Sequence, residues 1–213
     1  LDDYEIPLTL SATVNEIHGK ERIEGVTIAK LDENRNVIEG TEEYVPCDLL
    51  VLAVGLIPEN ELSKGAGIKL DGKTKGPVLD ENFMTDVPGI YAAGNVSVVY
   101  DLVDYVSQSG EIAARGAADY LKGNVSAGKA YEEVAAGENV NFVVPEKISK
   151  GEKESVSFFL RVKKPLKKSR VEVMQNGVVV ASKQIMHAAP PEMIAIDSPI
   201  KGEGPITVCV REV

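Results

Sequence analysis

Three stretches near the amino terminus have the hydrophobic pattern of β-strands. They are Leu8 to Ile17, Ile23 to Leu31 and Glu43 to Val54, and the turns between them carry Gly, Asn and Asp, residues that reverse a chain. We therefore predict a β-meander. The latter half of the third strand, Leu49 to Val54, is continuously apolar, which is typical of a strand covered on both faces, and it ends at Gly55.

A long helix is predicted from Leu102 to Lys122. Asp101 can cap its first turn, with Asp104 three residues on, and Gly123 lies just past its end. One face carries apolar, mostly small residues at steps of three and four: Val106, Gly110, Ala113, Ala117 and Tyr120. Small side chains permit close approach, so we expect this helix to pack tightly against a sheet or another flat surface.

The last third of the chain is a succession of short strand patterns. They are Val140 to Val144, Ser155 to Val162, Arg170 to Gln175, Val178 to Ile185, Met193 to Ile196 and Ile206 to Val213. The run Gln175-Asn176-Gly177 predicts a type I′ hairpin, because Asn and Gly tolerate positive φ angles. A linker rich in Gly, Ala and charge precedes these strands at residues 123–138, and we predict one short helix in it at Tyr131 to Ala135.

These patterns predict a mixed α+β fold with two domains. Residues 1–125 would form a meander, a further strand and one long helix, and residues 139–213 would form a small all-β sandwich. The chain begins at Leu1 inside what reads as a structural unit, so we expect it to be a fragment.

The charge and composition exclude several classes of function. The net charge of −10 disfavours a nucleic-acid partner or a membrane surface, since both are anionic. No run approaches eighteen apolar residues and no signal peptide opens the chain, which indicates a soluble, cytoplasmic protein. Two separated cysteines and two histidines are too few for a protein-only metal site, and there is no Cys-x-x-Cys redox pair.

The stretch Gly89 to Asn95, written GIYAAGN, is the strongest candidate for chemistry. Gly94 would let the backbone approach a ligand closely, and Asn95 offers both a donor and an acceptor where the predicted strand ends. The helix that follows points its free N–H groups and its positive dipole end near Val103, Asp104 and Tyr105. The flavin ring, whose pyrimidine side gains electron density on reduction, suits such a place. A turn without any ligand explains Gly-Asn equally well.

Three stretches together carry a family resemblance: Cys47 to Asn60, Gly89 to Val96, and the small-residue helix from Tyr105 to Leu121. They resemble the C-terminal part of the FAD-dependent pyridine nucleotide–disulfide oxidoreductases. The hallmarks of that family are an apolar strand ending in Ala/Ser-x-Gly-x-x-Pro-Asn and a second motif of the form Gly-hydrophobic-Tyr/Phe-Ala-x-Gly-Asp. The resemblance covers about residues 1–125.

The resemblance implies FAD and NAD(P) as cofactors and assigns residues to the flavin. In that family the acid at the strand end binds the ribityl chain and the helix N-terminus meets the isoalloxazine. By position these roles fall on Asn95, between Gly94 and Val96, and on Val103 to Tyr105. Gly55 ends the apolar strand of the first motif, a common place for a ligand to enter. Here the acid is an amide, which suggests the branch of NAD(FAD)-dependent dehydrogenases related to the flavin subunits of hydrogen cyanide synthase and sarcosine oxidase.

The chain lacks the Gly-x-Gly-x-x-Gly loops with which that family binds pyrophosphate. Gly65-Ala66-Gly67 and Gly202-Glu203-Gly204 begin the pattern, but Leu70 and Thr207 occupy the place of the third glycine. We therefore expect a piece of a larger enzyme that moves hydride between NAD(P)H and FAD and needs its absent N-terminal half to be active. The sequence identifies no catalytic residue.

The terminal β-unit leaves its partner open. We expect an accessory module for a partner subunit, a homo-oligomer or packing between domains. The alternative is a non-catalytic binding or scaffold protein that works through its sandwich, and an upstream Gly-x-Gly-x-x-Gly segment would distinguish the two hypotheses.

Overall fold

The computed structural model describes residues 2–124 and 130–213, which are mostly β-sheet with a few helices. They form two compact units, residues 1–55 and 56–213. Residues 125–129, which belong to the predicted linker, lie outside the described residues.

The first unit contains the predicted meander with shorter strands. After a 3-10 turn at Asp2–Tyr4, β1 (Ala12–His18), β2 (Gly25–Lys30) and β3 (Glu43–Pro46) pair antiparallel in the order β1-β2-β3. The third strand ends at Pro46, whose missing N–H interrupts a ladder.

Two predicted strands are wrong for the described residues. Residues 49–54 are irregular and, apart from half-buried Leu50, exposed, with Val51 76% and Val54 85% exposed, because no described strand or layer covers this apolar run. The strand predicted within GIYAAGN is reduced to one antiparallel bridge between Met84 and Tyr91, since no described strand lies beside it to extend the pairing.

The second unit begins with helices. They are α1 (Glu61–Gly65), a 3-10 turn at Gly94–Val96 and α2 (Val103–Leu121). The prediction of α2 is confirmed, and so is its end: Gly123 has φ +76°, its N–H donates to Tyr120 O, and the Asn124 N–H donates to Asp119 O. The predicted cap is wrong, because the N-cap position is Leu102 and no side chain caps the helix.

Eight strands follow in two sheets. They are β4 (Tyr131–Ala136), β5 (Val140–Val144), β6 (Lys147–Ser149), β7 (Lys153–Val162), β8 (Ser169–Gln175), β9 (Val178–Ile185), β10 (Ile194–Ile200) and β11 (Ile206–Glu212). One sheet has the order β10-β7-β5 and the other β6-β4-β11-β8-β9. The hairpin at Asn176 and Gly177 is confirmed, with φ angles of +53° and +76°.

The short helix predicted at Tyr131 to Ala135 is wrong. Those residues form β4, which pairs in parallel with β11 through Val134 and Ile206 and antiparallel with β6. The partner strand lies about seventy residues further along the chain, so tertiary pairing overrides the local helical preference.

Phe158 and Phe159 show how the three-stranded sheet is buried on both faces. Because side chains alternate along a strand, Phe158 enters the core shared by the two sheets, and Phe159 enters a second core on the opposite face. Both are 0% exposed. The second core also contains Ala113 of α2, so the helix and the sheets share one unit; the boundary predicted between residues 125 and 139 stays a prediction about domain organisation.

Candidate functional site

The turn at Gly94–Val96, called the corner below, is hydrogen-bonded to two buried serine hydroxyls. The Gly94 N–H donates to Ser109 Oγ of α2 at 2.7 Å, and Ser97 Oγ donates to Gly94 O at 2.6 Å. Ser109 Oγ in turn donates to Val106 O. Gly94 has φ +63°, which favours glycine, and a Cβ there would lie 3.4 Å from Val106 Cγ1. The corner is therefore a defined turn packed on α2.

The two ends of the Asn95 side-chain amide have different surroundings. Its Oδ1 accepts a hydrogen bond from the Tyr100 N–H at 3.1 Å, which stabilises the turn. Its Nδ2 has no partner among the described residues, and the residue is exposed. The turn role and a ligand role therefore coexist: one end of the amide orients the side chain and the other end remains available as a donor.

The first turn of α2 leaves two backbone donors free. Leu102 O accepts from the N–H groups of Tyr105 and Val106, whereas the N–H groups of Val103 and Asp104 have no partner within the described ranges. Val103 is 74% exposed. Unpaired N–H groups at the positive end of a nineteen-residue helix favour a ligand atom with partial negative charge.

Asp104 and Tyr105 serve different purposes. The Asp104 carboxylate lies in the first helical turn, where its negative charge interacts favourably with the positive end of the helix dipole. The Tyr105 ring packs against Tyr100 and Phe159, and burial, followed by the neighbouring carboxylates of Asp101 and Asp104, raises the pKa of Tyr105. The side chain of Tyr105 is thus a packing group, and its backbone N–H is already used.

An apolar cavity of about 340 Å³ includes a residue of the corner. Val96 and Ala92 line it together with Leu62 and Ile68, and no charged residue does. Its size is within the range of small-molecule sites, roughly 300–1,000 Å³.

Gly55 lies in the other unit; it is exposed, with φ +85°, and a Cβ there would meet no atom of the described residues within 4 Å.

The buried serines were missed by the sequence reasoning. Ser97 and Ser109 are each 0% exposed, and they are what connects the corner to the helix. Ser109 lies four residues before Ala113 and seven before Gly116, on the buried face of α2. A hydroxyl within a stripe of small apolar residues was the available signal, since a buried hydroxyl requires a partner.

Within residues 2–124 and 130–213, no group of three or more His, Cys, Asp or Glu side chains is arranged to hold a metal ion. In the same part of the chain, no helix combines the length and apolarity needed to cross a bilayer.

Comparison with known proteins places this region in a family. The family model described as pyridine nucleotide-disulphide oxidoreductase matches residues 2–113, which include the corner and the start of α2. A probable ferredoxin reductase of Castellaniella defragrans is 34% identical over 87 residues, 39% of this chain and 20% of that protein. An NADH oxidase of Streptococcus pneumoniae is 32% identical over 102 residues, 47% of this chain and 19% of that protein.

A third relative is much longer. The NADH-dependent glutamate synthase of Schizosaccharomyces pombe is 29% identical over 102 residues, 44% of this chain and 5% of that protein. The matched part of the chain therefore spans a fifth or less of the length of these three relatives.

Proposed function

Because the chain belongs to the pyridine nucleotide-disulphide oxidoreductase family, we propose that it is the carboxyl-terminal part of a cytoplasmic flavoenzyme that transfers hydride between NAD(P)H and FAD. The names of two relatives, an NADH oxidase and a probable ferredoxin reductase, support this class of reaction.

One observation carries the proposal for the flavin. The corner is rigidly tied to α2 through Ser109, yet the Asn95 Nδ2 and the N–H groups of Val103 and Asp104 have no partner among the described residues. In the proposed complex Asn95 holds a ribityl hydroxyl. The helix N–H groups meet the pyrimidine edge of the ring, where their dipoles stabilise negative charge. FAD, when bound, supplies the group that accepts or donates hydride.

The described residues fit the flavin end of the cofactor and not its pyrophosphate. A pyrophosphate is usually cradled by glycine-rich loops at the start of a helix. The sequence contains no Gly-x-Gly-x-x-Gly. We propose that an N-terminal half of the same protein supplies this cradle, a view that the greater length of the relatives supports.

The exposed run at residues 49–54 supports the same proposal. Leu49, Val51, Leu52 and Val54 lie within six residues of chain and are each at least 64% exposed. Consecutive large apolar side chains in water mark a surface that another part of the protein covers. We propose that the absent N-terminal half of the same protein covers this run in the intact enzyme.

The two-sheet region is assigned an accessory role. We propose that residues 139–213 form a β-sandwich that serves a partner subunit, a homo-oligomer or packing between domains.

The amide at position 95, in place of the usual acid, favours the branch of NAD(FAD)-dependent dehydrogenases related to the flavin subunits of hydrogen cyanide synthase and sarcosine oxidase.

The test compares the 213-residue chain with the product of its complete gene. We expect the complete protein to contain a Gly-x-Gly-x-x-Gly segment, to purify with the absorbance of flavin and to oxidise NADH or NADPH. The 213-residue chain should bind FAD weakly and be inactive. A complete protein without that segment and without flavin would favour the scaffold alternative. Tight binding of FAD by the 213-residue chain would contradict the proposal that the pyrophosphate cradle is missing from it.

A further inference from the structure

We propose that a pocket between the turn at Lys73–Lys75 and strand β7 binds a small organic carboxylate with an apolar or aromatic body. The pocket has a volume of about 200 Å³. Its polar lining consists of Lys73, Thr74, Lys75 and Arg161, and its apolar wall is formed by Leu56, Ile57, Pro58, Val98, Val99 and Phe142. No Asp or Glu lines it.

Arg161 is the anchor of this site. Its Nη2 donates to Val99 O at 3.0 Å, which directs the guanidinium to the pocket wall. Among the described residues its buried Nε has no hydrogen-bond partner, and none of their ion pairs involves Arg161. A buried donor without a partner is costly. The half-buried guanidinium also lines the pocket without a counterion among the described residues, so an anion bound there would supply one.

The turn beside Arg161 is held in shape before any ligand binds. Asp71 Oδ1 accepts from the N–H groups of Lys73 and Thr74 at 2.9 and 2.7 Å, and Lys75 has φ +64°. Buried Asn60 donates from its Nδ2 to the Lys75 and Val96 carbonyls. Preorganisation of this kind reduces the entropy lost on binding.

The cations of the turn are not equivalent. Lys73 Nζ donates to the carbonyl of Asn141 at 2.7 Å, so its ammonium is partly satisfied. Lys75 is exposed, and no hydrogen bond or ion pair involves its ammonium among the described residues. Arg161 and Lys75 therefore provide the attraction for an anion.

The apolar wall and the size select the ligand class. A volume of about 200 Å³ is below the roughly 300–1,000 Å³ typical of sites for drug-sized molecules. A dinucleotide is therefore too large, and inorganic phosphate has no apolar body, so the apolar wall would stay hydrated when it binds. A carboxylate on a small apolar body satisfies Arg161 and covers the wall. None of the pocket residues belongs to the corner at Gly94–Val96 or to Val103–Tyr105, so the site is additional to the proposed flavin site.

The experiment titrates the 213-residue chain with benzoate while amide chemical shifts are followed by NMR. We expect a dissociation constant of about 1 mM, with the largest shifts at the amides of Thr74, Val98 and Val99. Neutral benzyl alcohol and inorganic phosphate should each bind at least about tenfold more weakly, since each lacks one of the two interactions.

Variants identify the anchor. Arg161→Gln should weaken benzoate binding at least about tenfold and Lys75→Gln about threefold, because the guanidinium of Arg161 is half-buried and the ammonium of Lys75 is exposed. Arg170→Gln, which removes an exposed arginine of β8, should leave binding unchanged. If Arg161→Gln does not fold, the exposed Lys75→Gln variant carries the comparison.

Several results would overturn the proposal. They are the absence of benzoate binding, equal binding of benzyl alcohol or phosphate, shifts at amides distant from the pocket, or unchanged benzoate affinity in folded Arg161→Gln or in Lys75→Gln.

Discussion

Asp101 Oδ2 accepts a hydrogen bond of 3.1 Å from the backbone N–H of Met193, which lies 92 positions later in the chain. Asp101 precedes α2 and Met193 precedes β10, so this bond joins the start of the helix to the start of a strand of the three-stranded sheet. Met193 belongs to the core that also contains Phe159 and Ala113. An acid expected to cap a helix thus connects two parts of one unit.

Replacement of Asp101 should therefore weaken the second unit. Asp101→Ala leaves the N–H of Met193, a 5% exposed residue, without its partner, and we expect the free energy of unfolding to fall by about 1–2 kcal/mol. Urea denaturation measures it. Asp104→Ala is the matched control, because Asp104 is exposed and occupies the first helical turn; it should cost about 0.5 kcal/mol. An equal or larger cost for Asp104→Ala would show that the helix dipole, not the bond to Met193, is what matters.

Two glycines of α2 should respond in opposite directions to alanine. A Cβ on Gly116 would lie 2.7 Å from Asn82 Cβ and 2.8 Å from Asn82 O, so Gly116→Ala should destabilise the protein by about 1–3 kcal/mol. A Cβ on Gly110 would meet nothing within 4 Å, so Gly110→Ala should stabilise it by about 0.5–1 kcal/mol through helix propensity. Thermal unfolding of both variants checks the pair. The same sign for both would refute the assignment of the close contact to Gly116.

Glu146 should make stability depend on pH. Its Oε2 accepts from the Leu79 N–H at 2.9 Å, while its Oε1 is buried and has no partner among the described residues. Burial raises the pKa of Glu146 to about 8 from 4.5, although hydrogen bonds to Leu79 lower it. The folded state therefore binds the proton more tightly than the unfolded chain. The associated stability is complete below pH 4.5 and is lost as the pH rises through about 8.

Glu146→Gln should remove this dependence, because the amide keeps an acceptor for Leu79 and carries no charge. Relative to wild type, the variant should gain at least about 1 kcal/mol of unfolding free energy between pH 5 and pH 9. Glu133→Gln replaces an exposed glutamate that, like Glu146, lines a pocket of about 540 Å³, and it should show no such gain. Burial, followed by repulsion from Glu81, also raises the pKa of Asp80, to about 6, but this contribution cancels in the difference. Parallel pH curves for wild type and Glu146→Gln would contradict the prediction.

Asn95 offers a test of the proposed flavin site in the complete protein. Asn95→Ala removes both the free donor and the bond to Tyr100, and we expect FAD affinity to fall about tenfold, roughly 1.4 kcal/mol. Asn95→Asp keeps an acceptor for the Tyr100 N–H and can accept from a ribityl hydroxyl, so it should bind FAD nearly as well as wild type. Fluorescence of released flavin measures both. If Asn95→Ala lowered only the melting temperature and not the affinity, the corner would be structural alone.

Local features of this protein could be read from short windows of sequence. The helix that ends before Gly123, the hairpin at Asn176-Gly177 and six of the eight strands that follow residue 130 depend on the spacing of apolar residues and on turn chemistry within a few positions. The sequence also predicted that the GIYAAGN stretch is followed by a helix, because the corner and α2 are close together in the chain.

Contacts between distant residues could not be read in this way. Strand β4 depends on its pairing with β11. The side chain of Asp101 accepts from the N–H of Met193, 92 positions away, and the guanidinium of Arg161 donates to the carbonyl of Val99, 62 positions away. Which glycine of α2 meets a neighbour, and whether residues 49–54 are covered, depend on the same long-range packing. The sequence by itself determined the helix α2, most of the strands and the candidate corner. Only the tertiary structure decided their partners, because burial and hydrogen bonding are set by what lies nearby in space, not along the chain.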